Sequence, residues 1–273
     1  MMRALHTAAS GMQAQQLNVD LIANNLANIN TTGFKKERME FQSLLYQTLH
    51  RANISPITDL AGPSNLQVGL GVRPIATTRN FQMGNLERTD NFLDFAINGP
   101  GFFAVEREPG VVGFSKDGSF RLSVDGAGGL MLATSQGLPI LDVGLAPIIF
   151  PEDLNLATMN VDDFGNITFT DADGELVDLG QQIAIVQFPN VQGLEAIGSN
   201  LFVETAASGA ALMEADGETP VMSVILQGVL ESSNVQLAQE MVNIIIAQRA
   251  YEMNSTAIRT ADEMLQQANN LVR

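Results

Sequence analysis

The chain has 273 residues, of which 45% are hydrophobic, a formal net charge of −16, no cysteine, and only two histidines, His6 and His50. This composition is typical of a folded protein, excludes disulfides and thiolate metal sites, and leaves little for an imidazole-based site. No apolar run reaches the roughly 18 residues of a membrane span, and no uninterrupted apolar stretch follows Arg3, so we expect neither membrane insertion nor a cleaved secretory signal.

The charge is unevenly distributed. Residues 1–60 hold five basic and four acidic side chains, residues 221–273 hold three and five, and residues 61–220 hold six and 21. Near-neutral ends can pack against copies of themselves with little repulsion, whereas an acidic middle stays solvated and disfavours nucleic acid. The charge pattern therefore separates an assembling part from an exposed part.

The N-terminal segment predicts one long helix. Its apolar residues recur at alternating steps of three and four, which is the period of a coiled-coil seam. The pattern ends at Thr31, Thr32 and Gly33, as a helix C-terminus does. The length is roughly 40 Å at 1.5 Å per residue. The predicted seam positions are Leu5, Met12, Val19, Ile22, Leu26 and Ile29.

The middle of the chain predicts an all-β domain over residues 71–207. Short β-rich runs occur at residues 101–105, 119–124, 167–170, 183–188 and 200–204. Residue pairs of tight hairpin turns lie among them, at positions 117–118, 125–126, 165–166, 173–174 and 216–217. Residues 35–70, polar and irregular after Leu49, and residues 208–228 are interpreted as connecting segments.

The C-terminal segment predicts a second long helix. Neither Pro nor Gly occurs from residue 229 to the end, and Ser232, Ser233 and Asn234 are candidate N-caps. A row of residues spaced seven apart again predicts a coiled-coil seam. Its predicted positions are Leu230, Leu237, Ile244, Tyr251, Ile258 and Leu265. The fold prediction is α+β: long terminal helices of residues 1–34 and 229–273 paired as a coiled coil, and a mainly antiparallel β domain between them.

Candidate chemical motifs in the middle of the chain are weak. The acidic run at residues 171–175 lacks the ligand spacing of a calcium-binding loop, so a β-turn explains it better than a metal. Asp162 and Asp163 are adjacent, and neighbouring side chains on a strand point apart, which favours a solvated turn over an acid–base pair. We predict no catalytic, cofactor-binding or metal-ligating residue.

Glycine pairs and one basic cluster also have simple interpretations. Gly69 with Gly71, and Gly99 with Gly101, do not form a phosphate-binding loop, so turns or close backbone packing suffice. The basic cluster at residues 35–38 is too short for a nucleic-acid patch and marks the exit from the helical region. The two seams leave two alternatives open, a closed monomer whose helices pair only with each other and a polymer, and the remaining Ala and amide positions favour the polymer.

Several segments of the chain resemble motifs of a known protein family. Residues 9–16, 22–30 and 32–35 resemble the N-terminal motif of bacterial flagellar rod and hook proteins, and residues 230–235, 240–243 and 248–254 resemble the C-terminal motif of the same family. Within the family, residues 44–48, 69–74, 84–86, 97–103, 116–120 and 193–198 are most similar to the distal-rod branch. The resemblance covers nearly the whole chain, and residues 109–151 fit it least.

The resemblance implies a structural subunit of the distal rod, a rigid hollow drive shaft that transmits motor torque to the hook and encloses an export channel. The implied partners are further copies of the chain, proximal-rod proteins, the hook protein, the P- and L-ring proteins, the rod cap and the flagellar export apparatus. The implied location is the periplasm-spanning basal body. A proximal-rod or hook protein of the same family is the alternative, and a secreted enzyme or ligand-binding β domain dimerised by its helices is the competing class.

Two hypotheses about mechanism follow from these predictions. The end helices lack partners in dilute monomer, so we expect them to be poorly ordered until assembly buries their seams. We also expect residues 47–70 to wedge against adjacent subunits and stiffen the shaft.

Overall fold

The computed structural model describes residues 2–50, 66–108, 110–124, 129–150, 158–170, 176–217, 219 and 221–271. In chain order the elements are α1 (Met2–Ala27), β1 (Glu37–Ser43), β2 (Tyr46–His50), β3 (Leu66–Gly69), β4 (Val72–Arg79), β5 (Leu86–Arg88), β6 (Phe95–Asn98), β7 (Phe102–Glu108), β8 (Val111–Ser115), β9 (Phe120–Val124), β10 (Leu130–Thr134), β11 (Ile149–Phe150), β12 (Met159–Val161), β13 (Asn166–Thr170), β14 (Leu176–Gln182), β15 (Ile185–Gln187), β16 (Glu195–Gly198), β17 (Leu201–Val203), β18 (Leu212–Met213), β19 (Val224–Gln227), β20 (Val229–Glu231) and α2 (Leu237–Leu271). Two terminal helices therefore flank a mostly antiparallel β region, and the α+β prediction is confirmed.

The chain forms two compact units. Unit 1 comprises Met1–Ala27, Glu37–Thr78 and Gln236–Arg273, and unit 2 comprises Asn28–Lys36 and Arg79–Val235. The predicted roles of the segments, namely assembly, connection and outer domain, stay predictions. The segments interpreted as connectors do contain regular structure, because β1, β2 and β3 lie before residue 70, and β18 and β19 lie after residue 207.

Unit 1 holds both helices and two small two-stranded sheets. β1 pairs with β4, and β2 pairs with β3 in the register Tyr46 opposite Gly69. Asn25 of α1 is fully buried, its Nδ2 donates to the Glu37 carbonyl at 2.9 Å, and its Oδ1 accepts from the Glu37 amide at 3.0 Å. This amide thus satisfies both backbone groups of Glu37 and holds β1 against α1.

Unit 2 is built on a six-stranded sheet in the order β16-β17-β8-β7-β15-β18. Alternate residues of a strand point to opposite faces, so β7 contributes Phe103 and Val105 to one apolar cluster and Phe102 and Ala104 to another. The larger cluster is closed by side chains of β9, β10, β12 and β13. The short β5 pairs with β20, and β6 pairs with β19. The first strands of unit 2 therefore form two-stranded sheets with its last strands.

All five predicted β runs contain a strand, namely β7, β9, β13, β15 and β17. The turn predicted at Gly165 joins the antiparallel pair β12 and β13. The pairs Asp117-Gly118 and Asp216-Gly217, however, are not hairpin turns. The first lies between β8 and β9, which belong to different sheets. Gly217 ends a short 3-10 helix, Glu214–Asp216, and the flanking β18 and β19 also lie in different sheets. The turns predicted at positions 125–126 and 173–174 lie outside the described residues.

The second helix starts later than the sequence pattern indicates. Residues 229–231 form β20, and α2 begins at Leu237. Pairing of β20 with β5 and complete burial of the Glu231 side chain give this segment tertiary contacts that a helix would lose. Long-range burial therefore overrides a local pattern that is compatible with a helix.

Candidate self-assembly surface

The two helices pack against each other within unit 1. Small residues make the contact, since Ala8 and Ala14 of α1 and Ala247 and Ala261 of α2 are each buried to at least 94%. Gly11 lies against Asn254, whose Nδ2 would be 2.8 Å from a β-carbon at position 11. A glycine inside a helix costs about 1 kcal/mol relative to alanine, and here it permits the close approach of the second helix.

The predicted seam positions divide into three groups. Eight lie on α1 or α2 and are buried or half-buried: Leu5, Met12, Val19, Ile22, Leu26, Ile244, Ile258 and Leu265. Leu237 and Tyr251 also lie on α2 but are 50% and 42% exposed. Ile29 and Leu230 lie outside the helices, in the turn after α1 and in β20. The structure thus brings ten of the twelve positions onto one pair of helices, and coiled-coil geometry stays a prediction.

A broad face of α2 carries large apolar side chains that nothing in the described chain covers. Seven of them are 49–67% exposed: Leu237, Met241, Val242, Ile245, Ile246, Met253 and Met264. A helix turns about 100° per residue, so these positions occupy a broad arc of roughly 200° outside the sector that holds the buried Ala247 and Ala261. We call these seven residues the bare face of α2.

Heptad analysis did not identify most of the bare face. Only Leu237 belongs to the predicted seam, because a search for one row at a spacing of seven selects a single stripe and passes over its neighbours. The available signal was the dense apolar run of residues 241–247, in which Asn243 is the one polar residue.

A buried ion pair joins the two ends of unit 2. Lys35 Nζ lies 2.5 Å from Glu231 Oε1, and each side chain is only 1% exposed. Lys35 also donates to the Gln82 carbonyl at 3.0 Å, and the Gly84 amide donates to Glu231 Oε1 at 2.8 Å. Buried charges require such compensation, because an unpaired one carries the full cost of desolvation.

Asn234 ties the same chain segments together. Its Oδ1 accepts from the Lys36 amide at 2.8 Å, and its Nδ2 donates to the carbonyls of Asn80 and Gln82 at 2.8 and 3.0 Å. Predicted as a possible N-cap of α2, Asn234 instead connects three segments of unit 2. We call Lys35, Lys36, Glu231 and Asn234 the terminal clamp.

Lys116 is a second buried cation near the terminal clamp. Its Nζ donates to the Gly99 carbonyl at 2.8 Å and lies 5.1 Å from the centre of the Phe102 ring. Burial lowers the pKa of Lys116 from 10.5 to about 8; the charge of Glu231 opposes this shift and that of Lys35 adds to it. The charge of Glu214 also opposes the shift, but the effect of burial is the largest of these, so the pKa of Lys116 is lowered overall.

The motifs weighed for chemistry have structural roles where they are described. The Asp162 carboxylate accepts hydrogen bonds from the amides of Phe164 and Asn166, both at 2.9 Å, and from the Asn166 side chain at 2.8 Å. Partial burial raises its pKa, but these hydrogen bonds lower it more, so the pKa of Asp162 lies below its ordinary value. This confirms a solvated turn. The acidic run at residues 171–175 lies outside the described residues.

The glycine pairs serve turns and close packing. Gly71 has a φ of +114°, and a β-carbon there would collide with the Ser10 side chain of α1. Gly99 and Gly101 both lie against Ser223, whose Oγ accepts from the Gly101 amide at 3.0 Å. The prediction of close backbone packing is confirmed at both pairs.

An open groove of about 510 Å³ lies on unit 2, lined mainly by apolar side chains, and Glu204 is its one charged lining residue in the described part of the chain. It offers no convergent set of polar groups of the kind an enzyme site needs. Over the described ranges, no cluster of three or more acidic or histidine side chains could hold a metal ion, and neither helix combines the length and hydropathy of a membrane span.

Comparison with known proteins places these features in a family. Three family models match: "Flagella basal body rod protein" over residues 5–35, "Flagellar hook protein FlgE/F/G D1 domain" over residues 96–169, and "Flagellar basal body rod FlgEFG protein C-terminal" over residues 226–271. A flagellar basal-body rod protein FlgG of Borreliella burgdorferi is 47% identical over 100% of both chains. The chain belongs to the flagellar basal-body rod protein family.

Relatives of the same name extend across distant bacteria. The rod protein of Caulobacter vibrioides is 42% identical over 99% of both chains, and that of Bacillus subtilis is 36% identical over 100% of both. The predicted resemblance to the flagellar rod and hook family, closest to its distal-rod branch, is therefore confirmed. The chain is a structural subunit of the flagellar rod, and it is located in the basal body, where it assembles with other flagellar components.

The family models also correspond to structural features. The model matched at residues 5–35 covers α1 from residue 5 onward and Lys35, and the model matched at residues 226–271 covers Glu231, Asn234 and the whole of α2. Most of α1, all of α2 and every residue of the terminal clamp except Lys36 thus lie inside the two terminal segments by which rod proteins are recognised.

Proposed function

We propose that this chain polymerises with copies of itself, through α1 and α2, into the distal part of the flagellar rod. The polymer is a rigid hollow shaft that transmits motor torque to the hook and encloses the export channel. The bare face of α2 carries this proposal, because seven large apolar side chains, each 49–67% exposed, favour burial against another molecule.

The energy available from the bare face is large. Fully burying one such side chain contributes about 1.5–3 kcal/mol, so covering the exposed half of seven of them contributes on the order of 5–10 kcal/mol per subunit before the entropic cost of association. In the polymer this face contacts a different surface of the next copy. Such head-to-tail contacts propagate as an open helical filament when they do not close into a ring.

The charge distribution supports a polymer with the helices at small radius and the acidic residues outside. The terminal segments are close to neutral, while residues 61–220 carry 21 acidic and six basic side chains. Packing the near-neutral helices at small radius avoids repulsion between copies, and an outer layer of unit 2 keeps the acidic surface in solvent. The coiled-coil pairing of α1 and α2 forms the inner layer and surrounds the channel.

The proposed neighbours follow from the family. Besides its own copies, the chain contacts proximal-rod proteins at one end and the hook protein at the other, passes through the P and L rings, and is delivered with the help of the rod cap and the flagellar export apparatus. It crosses the periplasm as part of the rod. Nothing in this proposal requires a catalytic residue.

Electron microscopy of the purified full-length protein tests the proposal. We expect straight tubes from the wild type and none from Ile246→Glu, which places a charge on the bare face where the native side chain is 60% exposed. Gln192→Glu, which adds the same charge to an exposed position of unit 2, is the matched control and retains the tubes.

Other outcomes decide between the alternatives. Bent tubes favour a hook protein over a rod protein. Failure of the wild type to form tubes at any concentration, with a stable dimer instead, favours a β domain dimerised by its helices. Tubes formed equally well by Ile246→Glu contradict the role of the bare face.

A further inference from the structure

Three separate segments of unit 2 meet at the terminal clamp. Residues 28–36 follow α1, residues 79–85 follow β4, and residues 231–235 precede α2. Besides the clamp side chains, backbone bonds join them: Gly33 donates to the Glu231 carbonyl at 2.8 Å, Asn80 to the Lys36 carbonyl at 2.9 Å, and Ser232 to the Asn85 carbonyl at 2.8 Å. The three segments at which the chain enters or leaves unit 2 are therefore bound to one another within that unit.

The order in which these segments can dock is constrained by charge. Lys35 and Lys116 are both at least 96% buried, and Glu231 is the carboxylate that contacts Lys35 directly. Without Glu231, the buried Lys35 ammonium keeps the Gln82 carbonyl but has no carboxylate to compensate its charge, and it repels the buried Lys116. Docking of residues 28–36 is therefore energetically unfavourable until Glu231 is in place.

We propose that residues 229–235 are a latch that closes unit 2 last and that residues 28–36 dock only in the same step. Lys35 lies 196 positions before Glu231, so in a chain that emerges N-terminus first the exit from α1 stays free until nearly all of unit 2 is available. Closure then orders, in one step, the residues of unit 2 that follow α1 and those that precede α2.

This inference concerns the folding of one molecule and does not depend on polymerisation, so it is tested in dilute monomer. The full-length chain is unfolded in denaturant and refolded by dilution, and amide protection is followed by pulsed hydrogen exchange with mass spectrometry. We expect residues 28–36 and 229–235 to become protected at the same rate. Protection of residues 28–36 more than twofold faster than that of residues 229–235 overturns the proposal.

Charge variants test the electrostatic cause. Glu231→Gln slows protection of residues 28–36 at least tenfold relative to Glu195→Gln, a control that removes an exposed carboxylate from β16. Equal rates in these two variants overturn the proposal.

The double variant Lys35→Met with Glu231→Met removes both charges of the buried pair and keeps the bonds made by Asn234. We expect it to recover a rate within threefold of the wild type. It also provides a decisive result if Glu231→Gln fails to fold, because a double variant with slow or absent protection of residues 28–36 rejects the charge-based latch.

Discussion

Gly11 of α1 and Asn254 of α2 lie in direct contact, with the Asn254 Nδ2 2.8 Å from the position that a β-carbon on residue 11 would occupy. The contact sets how closely the two helices approach. Flanking alanines at positions 8, 14, 247 and 261 are buried on either side of it. Small residues are thus buried along both helices around this contact, while the seven side chains of the bare face stay 49–67% exposed.

Enlarging residue 11 should weaken assembly. Gly11→Leu forces the helices apart or displaces Asn254, and overpacking of this kind costs about 1–3 kcal/mol. We expect the critical concentration for tube formation, measured by sedimentation, to rise between about tenfold and a hundredfold. Gln13→Leu, which adds an apolar side chain at an exposed position of α1, is the control. A critical concentration equal to that of the control would contradict the role of this contact.

Lys116 should make unit 2 more stable at alkaline pH. Its pKa is about 8 in the folded chain and 10.5 when unperturbed, so the unfolded chain binds more protons between these values and stability rises with pH in that window. From pH 7 to 9.5 the contribution is on the order of 2 kcal/mol. Urea denaturation at both pH values measures it.

The comparison variant for this prediction is Lys116→Met, which has no group to titrate. We expect the wild type to gain stability relative to this variant as pH rises from 8 to 10.5. A difference between the two proteins that stays constant over this range would show that Lys116 does not titrate as its burial implies.

Breaking the terminal clamp should destabilise unit 2 strongly. Lys35→Met leaves the Glu231 carboxylate buried without its cation, which costs about 3–5 kcal/mol, and combining it with Glu231→Met recovers most of the loss. The midpoint of urea denaturation reports both effects. Arg88→Met, which removes an ion pair whose side chains are 83% and 75% exposed, should change stability by less than about 1 kcal/mol. Equal losses in the buried and exposed pairs would refute this ranking.

Removing residues 47–70 should soften the assembled shaft. The deletion takes away the pairing of β2 with β3 together with residues 51–65, which lie outside the described residues. We expect a shorter persistence length, measured from electron micrographs of the tubes. A second variant that lacks only residues 51–65 distinguishes the contribution of the strands. Unchanged stiffness in the larger deletion would rule out wedging by this segment.

Helix content should increase on assembly. The bare face of α2 is stabilised only when neighbouring copies cover it, so we expect dilute monomer to show less helix than tubes at the same total concentration. Circular dichroism at 222 nm compares the two states, with Ile246→Glu as a monomeric reference. Equal helicity in monomer and tubes would show that the helices form independently of assembly.

Local patterns in the sequence were sufficient for the elements that depend on near neighbours. A 26-residue α1, a 35-residue α2 and the strands around Phe103, Ile167 and Val186 were each predictable, because helix and strand periods express burial of residues a few positions apart. The apolar rows of the two helices also predicted that α1 and α2 pack against each other, and they do. The heptad row included Ile22 and Ile258, which are buried or half-buried on that pair.

Tertiary structure alone decided the rest. Residues 229–231 form a strand rather than the first turn of a helix because the partner of Glu231 is Lys35, 196 positions away, and no local pattern records a contact at that distance. Which face of α2 stays bare depends likewise on which side α1 covers. The sequence by itself therefore determined the family, the helices and the β character of the middle, whereas long-range burial of charge and of small residues decided where the chain is clamped and which surface is left to bind other molecules.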